Sequence, residues 1–234
     1  MDASTLRTAY YYALLRYIGC NAHTDAMAAL FGDELALRRD FATVDSGDIP
    51  QVLELAARHI RQANAAEPAE RVAAIVASAL RELPGFMRES FAGHCEVAQR
   101  LASRIGLDSS VVTCLGQVYE RWDGHGLPRG LKGEEVDPAV LLVALAQDAV
   151  VWNRIGGPGA AVETISRRRG GAHNPEMAQR FCENAAIILA DLDREPTLDA
   201  VLAVEPGAQR PLTDEEFDHA CEAVADFADI KSPY

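Results

Sequence analysis

The sequence predicts an all-α protein, and three observations predict it. Apolar residues recur at three- and four-residue spacing through most of the 234 residues, no useful length alternates apolar with polar, and nearly every periodic segment is bracketed by a helix-starting or helix-ending residue. Hydrophobic residues make up 49% and aromatics only 6%, so the core must be built mainly from Ala, Leu and Val, which let helices pack closely.

Taken in order, LRTAYYYALLRYIGC predicts a helix over Leu6–Cys20, with Ser4 as N-cap and Gly19 near its end. A short helix over Asp25–Phe31 stops at Gly32, and Asp33 caps another running to Val44. Asp48 precedes a helix over Pro50–Gln62 with proline in its first turn. Glu67-Pro68 restarts the chain, and a long helical run reaches Ile105 with a break expected at Pro84-Gly85. Asp108 or Ser109 caps a helix over Val111–Trp122.

Pro138–Ile155 is apolar almost all round, which predicts the central buried helix. Gly156-Gly157-Pro158-Gly159 ends it, a further helix reaches Arg169, and Gly170-Gly171 stops that one. Asn174-Pro175 starts a helix to about Leu192, and a short one covers Leu198–Val204. PGAQRP then reads as a linker. Thr213 with Glu216 forms a capping box for a last helix, Asp214–Lys231, whose Phe217, Cys221, Val224, Phe227 and Ile230 form an expected core-facing stripe. The expected organisation is one helical domain over residues 1–205. Residues 206–234 form a linker and terminal helix that packs on this domain or leads to a further one.

The formal charge of −13, from 22 basic and 35 acidic residues, argues against contact with nucleic acid and against docking on anionic membrane. Five dispersed cysteines without a CxxC pair read as reduced, buried thiols of a cytoplasmic protein. No signal peptide and no apolar run long enough to span a bilayer stands out.

The stretch Tyr119–Val136, YERWDGHGLPRGLKGEEV, is too rich in Gly and Pro for regular structure and too patterned for a slack linker. Trp122 and Asp123 shape and anchor it, and Arg129 and Lys132 supply charges suited to a phosphate or an acidic partner. His125 reads as an exposed loop residue, and Arg167-Arg168-Arg169 as dipole complementation at a helix end.

From Glu120 to Val136 this loop resembles the signature segment of HD-GYP domains, which typically reads HHERWDGSGYPRGLKGEEI, with His125 in place of Ser and Leu127 in place of Tyr. The flanks agree: His94 opens HCEVAQRLASRIGL where the family has HPxxG, LLRYIGC at Leu14–Cys20 aligns with LLHDIGK, and LVALAQDAVVW at Leu142–Trp152 aligns with IVAVADVFDAL. The resemblance spans roughly Tyr10 to Trp152. It implies an HD-domain-like helical bundle, here with extra C-terminal helices. It also implies the family's chemistry, in which His and Asp side chains hold two or three metal ions that activate water for attack on the phosphodiester of cyclic di-GMP.

The ligand positions depart from that pattern. The His-Asp dyad is Arg16-Tyr17, the lysine after it is Cys20, the paired histidines are Val118 and Tyr119, and the metal-binding aspartate is Gln147. Asp148 lies one position later, turned by about 100° on a helix. His94 is the surviving family ligand.

The leading expectation is therefore a catalytically inactive regulatory, sensory or protein-interaction module of a bacterial signalling protein. It would carry no metal and would partner with another protein, a further domain of the same polypeptide or a second copy. One alternative is a phosphodiesterase with Fe, Mn or Zn in a remodelled set of His94, Asp148, Asp123 and Glu120. Another is a non-hydrolysing cyclic dinucleotide receptor using Arg16, Arg129 and Lys132.

Overall fold

A computed structural model describes residues 2–190, 198–207 and 211–230. Among them the regular structure is helical, with isolated β-bridges but no strand. The first helix, α1 (Ala3–Leu15), starts two residues earlier than the Ser4 cap implies, because the Asp2 carboxylate accepts from the Thr5 amide at 2.8 Å. It also ends sooner, giving way to a 3-10 helix over Ile18–His23. That tight turn lies directly on another backbone: a Cβ added at Gly19 would sit 1.9 Å from the His94 carbonyl oxygen. Only glycine permits this approach.

Helices α2 (Thr24–Phe31), α3 (Glu34–Phe41) and α4 (Ile49–Ala63) follow, the last two capped by Asp33 and Asp48 as expected. The next helix, α5, runs unbroken over Ala69–Arg104 through Pro84, where a break was expected. Pro84 and Gly85 are exposed, so water can take the carbonyl that the missing amide leaves unpaired. At 36 residues and 1.5 Å per residue, α5 is about 54 Å long and serves two cores. Its first half packs Val76, Ala79 and Leu83 against Phe31 of α2 and Ile60 of α4. Its second half packs Cys95, Ala98 and Ala102 against Tyr12 of α1, Leu115 and Val140.

Helix α6 (Ser109–Leu115) is shorter than the sequence pattern implied, because Gly116 closes it and the chain turns directly into the loop. Helix α7 (Pro138–Arg167) is the central helix, interrupted by non-helical Gly156 and Gly157 at the expected stop. By length and composition it is apolar enough to cross a membrane, contrary to the reading that no such run exists. Its apolar residues, however, face α1 on one arm and α8 (Pro175–Leu189) on the other, and its Asp148 is buried. That is the placement of a core helix.

Asn174 caps α8, accepting from the Glu176 and Met177 amides. The expected end near Leu192 and the middle of PGAQRP lie outside the described residues. Helix α9 (Leu198–Ala203) is pinned to α1, where the Tyr10 hydroxyl donates to the Val201 carbonyl and Arg7 to the Pro206 carbonyl.

The capping box at Thr213 and Glu216 forms as read and starts α10 (Asp214–Asp229). Only part of its stripe faces the core. Phe217, Cys221 and Val224 are exposed, Phe227 and Ile230 are half-buried, and Ala223 is the buried residue of the helix. The small side chain of Ala223 lets α10 lie against α5, with Phe227 and Ile230 along the seam and Phe217, Cys221 and Val224 turned outward. All five cysteines are free, but only Cys20, Cys95 and Cys114 are buried; Cys182 is partly covered and Cys221 is exposed.

Candidate functional site

The loop is held from within and from below. The Glu120 carboxylate, 4% exposed, accepts the Arg129 and Leu131 amides at 2.9 and 2.8 Å and so ties the start of the loop to its tip. Isolated bridges join Tyr119 to Leu127 and Asp123 to Lys132, and Gln117 accepts the Asp137 amide to close the base. Leu127-Pro128 is a cis peptide. Gly126 passes so near the incoming strand of the loop that a Cβ there would lie 2.5 Å from the Glu120 Cα and 2.6 Å from the Arg121 nitrogen.

Beneath the loop runs an ion-pair network, only fragments of which are legible in the sequence. Arg121 binds Asp45 at 2.5 Å and Asp123 at 2.8 and 3.1 Å. Arg168, 6% exposed, binds Asp148 at 2.7 Å, faces Asp45 at 3.7 Å and donates to the Thr43 carbonyl. The His173 Nε2 donates to the same Asp148 oxygen at 2.7 Å. Burial alone would raise the Asp148 carboxyl, but His173 and Arg168 outweigh it and hold it below the ordinary carboxylate value. The same opposition leaves Asp123 at about 2, burial being overcome by Arg121 and the His125 amide.

Asp45 and His173 showed no signal in the sequence, because their partners lie 76 and 25 residues away. Arg168 does not serve as the helix-end charge that its RRR triplet implied; it is the centre of this network.

The positions aligned with metal ligands form a second cluster, around Tyr119 and at the rim formed by Tyr17 and Gln147. The Tyr119 ring stacks on Phe91 with centroids 3.9 Å apart, and its hydroxyl meets His94 Nδ1 at 2.9 Å and the Cys20 thiol at 3.4 Å. Burial, then His23 and Arg38, lower the His94 imidazole to about 4, so it stays neutral. Burial, with the Cys20 thiol beside it, pushes the Tyr119 phenol well above its ordinary value of 10. One proton arrangement satisfies the chain: Cys20 donates to Tyr119, and Tyr119 donates to His94 Nδ1. The His94 Nε2 is then a buried donor without a partner.

At the rim, the Tyr17 hydroxyl donates to Gln147 Oε1. The Arg16 guanidinium lies over the Tyr17 ring at 4.8 Å and the Tyr12 ring at 5.7 Å and reaches the Val143 carbonyl at 3.5 Å. Val118 is buried in the core.

The structure thus brings together Arg16, Tyr17, Gln147, His94, Tyr119 and Cys20. It does not bring Asp148 or Asp123 to them, since both are engaged beneath the loop. Among the described residues no three His, Cys, Asp or Glu side chains converge in a metal-holding group. Arg129 and Lys132 are exposed and have no ion-pair partner among the described residues. His125 is also exposed, 3.5 Å from Asp123. A cleft of about 370 Å³ beside the loop is lined by Glu96, Gln99, Thr113, Pro128 and Arg129. A larger apolar groove of about 640 Å³ lies far from these residues, between α4 and the start of α5.

No protein-family model matches the chain. The chain is 23% identical over 234 residues, 98% of its length, to a 3′3′-cGAMP-specific phosphodiesterase of Vibrio cholerae, and spans about half the length of that relative. A solved structure of a cyclic GMP-AMP specific phosphodiesterase from V. cholerae superposes with a TM-score of 0.58 at 19% identity, over 99% of this chain and 61% of the other. The likeness shows a shared fold, consistent with the HD-domain-like helical bundle that the loop implied.

Proposed function

We propose that the chain is a catalytically inactive HD-GYP-like module that acts in bacterial cyclic dinucleotide signalling by binding a protein partner or a further domain. One observation carries this reading: the loop is held by its own hydrogen bonds, while at the ligand positions Tyr17 bonds to Gln147 and Tyr119 to His94. Metal ions in such a site need neutral imidazole and ionised carboxylate donors. Here two phenols, an amide and a valine stand at those positions, Tyr17 bonded to Gln147 and Tyr119 to His94 and Cys20, and the Arg16 guanidinium occupies the rim. His94 spends Nδ1 on Tyr119, and the neighbouring His23 ring, 5.5 Å away between centroids, adds one further imidazole and no carboxylate. The residues present do not fit a dinuclear centre, and a remodelled centre would require Asp148 or Asp123 to leave its buried arginine.

Metal analysis of protein purified without chelator tests the reading. The expected result is substoichiometric Fe, Mn and Zn and no hydrolysis of cyclic GMP-AMP or cyclic di-GMP. Stoichiometric metal that vanishes in His94→Ala would overturn it.

A second reading is favoured by Arg129 and Lys132, two exposed cations on the loop that no described carboxylate neutralises, together with the cyclic dinucleotide named for the relative. In it the module binds such a ligand without cutting it. Calorimetry with each dinucleotide decides, since binding heat that disappears in Arg129→Ala/Lys132→Ala supports a receptor. No heat at high micromolar ligand removes it.

A further inference from the structure

The last helix has more apolar surface than α5 covers. At 100° per residue, Ala223 and the half-buried Ala220, Phe227 and Ile230 mark the seam on α5, with Arg104 holding Glu222 and Asp226 at its edge. About a quarter-turn further round, Phe217, Cys221 and Val224 form a second stripe. Phe217 is 59% exposed and Val224 67%. Beyond that stripe stand Asp214, Asp218 and Asp229, exposed and without an ion-pair partner among the described residues. Apart from His219, every charged residue of α10 is acidic.

We propose that this outer face of α10 docks a basic amphipathic helix of a protein partner. The proposal deepens the partner-binding part of the reading above and rests on it. The apolar stripe gains by being covered, and the carboxylates along one border select the cover. A partner helix laid alongside would bury its own apolar row on Phe217, Cys221 and Val224 and set Lys or Arg against Asp214, Asp218 and Asp229. A second copy is the wrong occupant, because it brings carboxylates against carboxylates on a chain that already carries −13. The same sign turns away nucleic acid and anionic lipid.

The test uses the whole chain and a synthetic fluorescent helical peptide with leucines on one stripe and lysines along one border. A companion peptide has the same leucines with glutamates in place of the lysines. By anisotropy the lysine peptide is expected to bind, to weaken as salt rises, and to lose more than about tenfold in affinity against Phe217→Asp/Val224→Ser. Both substituted residues are exposed, and an unchanged thermal midpoint shows that the variant folds. Equal binding of the two peptides, or of wild type and variant, overturns the proposal. So does a dimer seen by sedimentation that Phe217→Asp dissolves, since the occupant is then a second copy. Hydrolysis or stoichiometric metal would overturn the inactive-site reading and leave this result intact, and peptide failure would leave the metal result intact.

Discussion

Asp148 shows how one residue's neighbours decide its role. Its sequence position, one step past Gln147, offered a substitute metal ligand, but its carboxylate is engaged by Arg168 and His173 at 2.7 Å each. Removing one partner of a buried pair strands the other charge, so Arg168→Ala is expected to cost about 3–5 kcal/mol in chemical denaturation. Arg168→Lys should recover only part of this, since an ammonium cannot reach Asp148 and the Thr43 carbonyl as a planar fork does. The carboxyls also set a pH dependence. Asp123 and Asp148 are depressed in the folded state, so the unfolded chain takes up their protons first as pH falls. Their contribution is complete above the ordinary value of 3.8 and is lost as pH falls toward 2, the window set by Asp123. Acid denaturation curves of Asp123→Asn should be flatter across that window. His94 acts at higher pH: its folded value near 4 lies below its ordinary 6.5, so unfolded protein protonates first and stability declines as pH drops from 6.5 to 4. Its imidazole should stay neutral by NMR until close to pH 4.

At the scale of elements, two features test how backbone and packing share control. Helix α5 carries Pro84 on its exposed face without stopping, because both cores grip the helix on either side. Pro84→Ala restores an amide and relieves the ring, and is expected to stabilise the protein by up to about 3 kcal/mol. A drop in the thermal midpoint would mean that the proline geometry is itself required. The loop gives the opposite case. Gly126→Ala places a Cβ within 2.7 Å of three backbone atoms of residues 119–121, so the Tyr119–Leu127 bridge must open. Faster hydrogen exchange at the Leu127 and Gly133 amides, with a lower midpoint, is the expected result. Helix starts were legible because their caps are local: Asp33, Asp48, Asn174 and Thr213 act on amides two or three residues away. The end of α6 and the passage through Pro84 were not, because each depends on what packs against the segment.

For the whole molecule, the sequence by itself determined the helical class, the order of the helices, the central place of α7 and the presence of a built loop between α6 and α7. Periodicity, caps and glycine placement are properties of neighbouring residues, and neighbours in sequence suffice to read them. It also determined which residue types stand at the ligand positions. The tertiary structure alone decided what those residues do. It joined Asp45, Arg121, Asp123, Arg168, Asp148 and His173 into one network beneath the loop. It linked Cys20, Tyr119 and His94 across α5, and turned Phe217 and Val224 of α10 outward. The reason is physical: partners in a hydrogen bond, an ion pair or a packed face are chosen by distance in space, and here they come from positions as far apart in sequence as Tyr17 and Gln147, 130 residues, or Arg7 and Pro206, 199 residues.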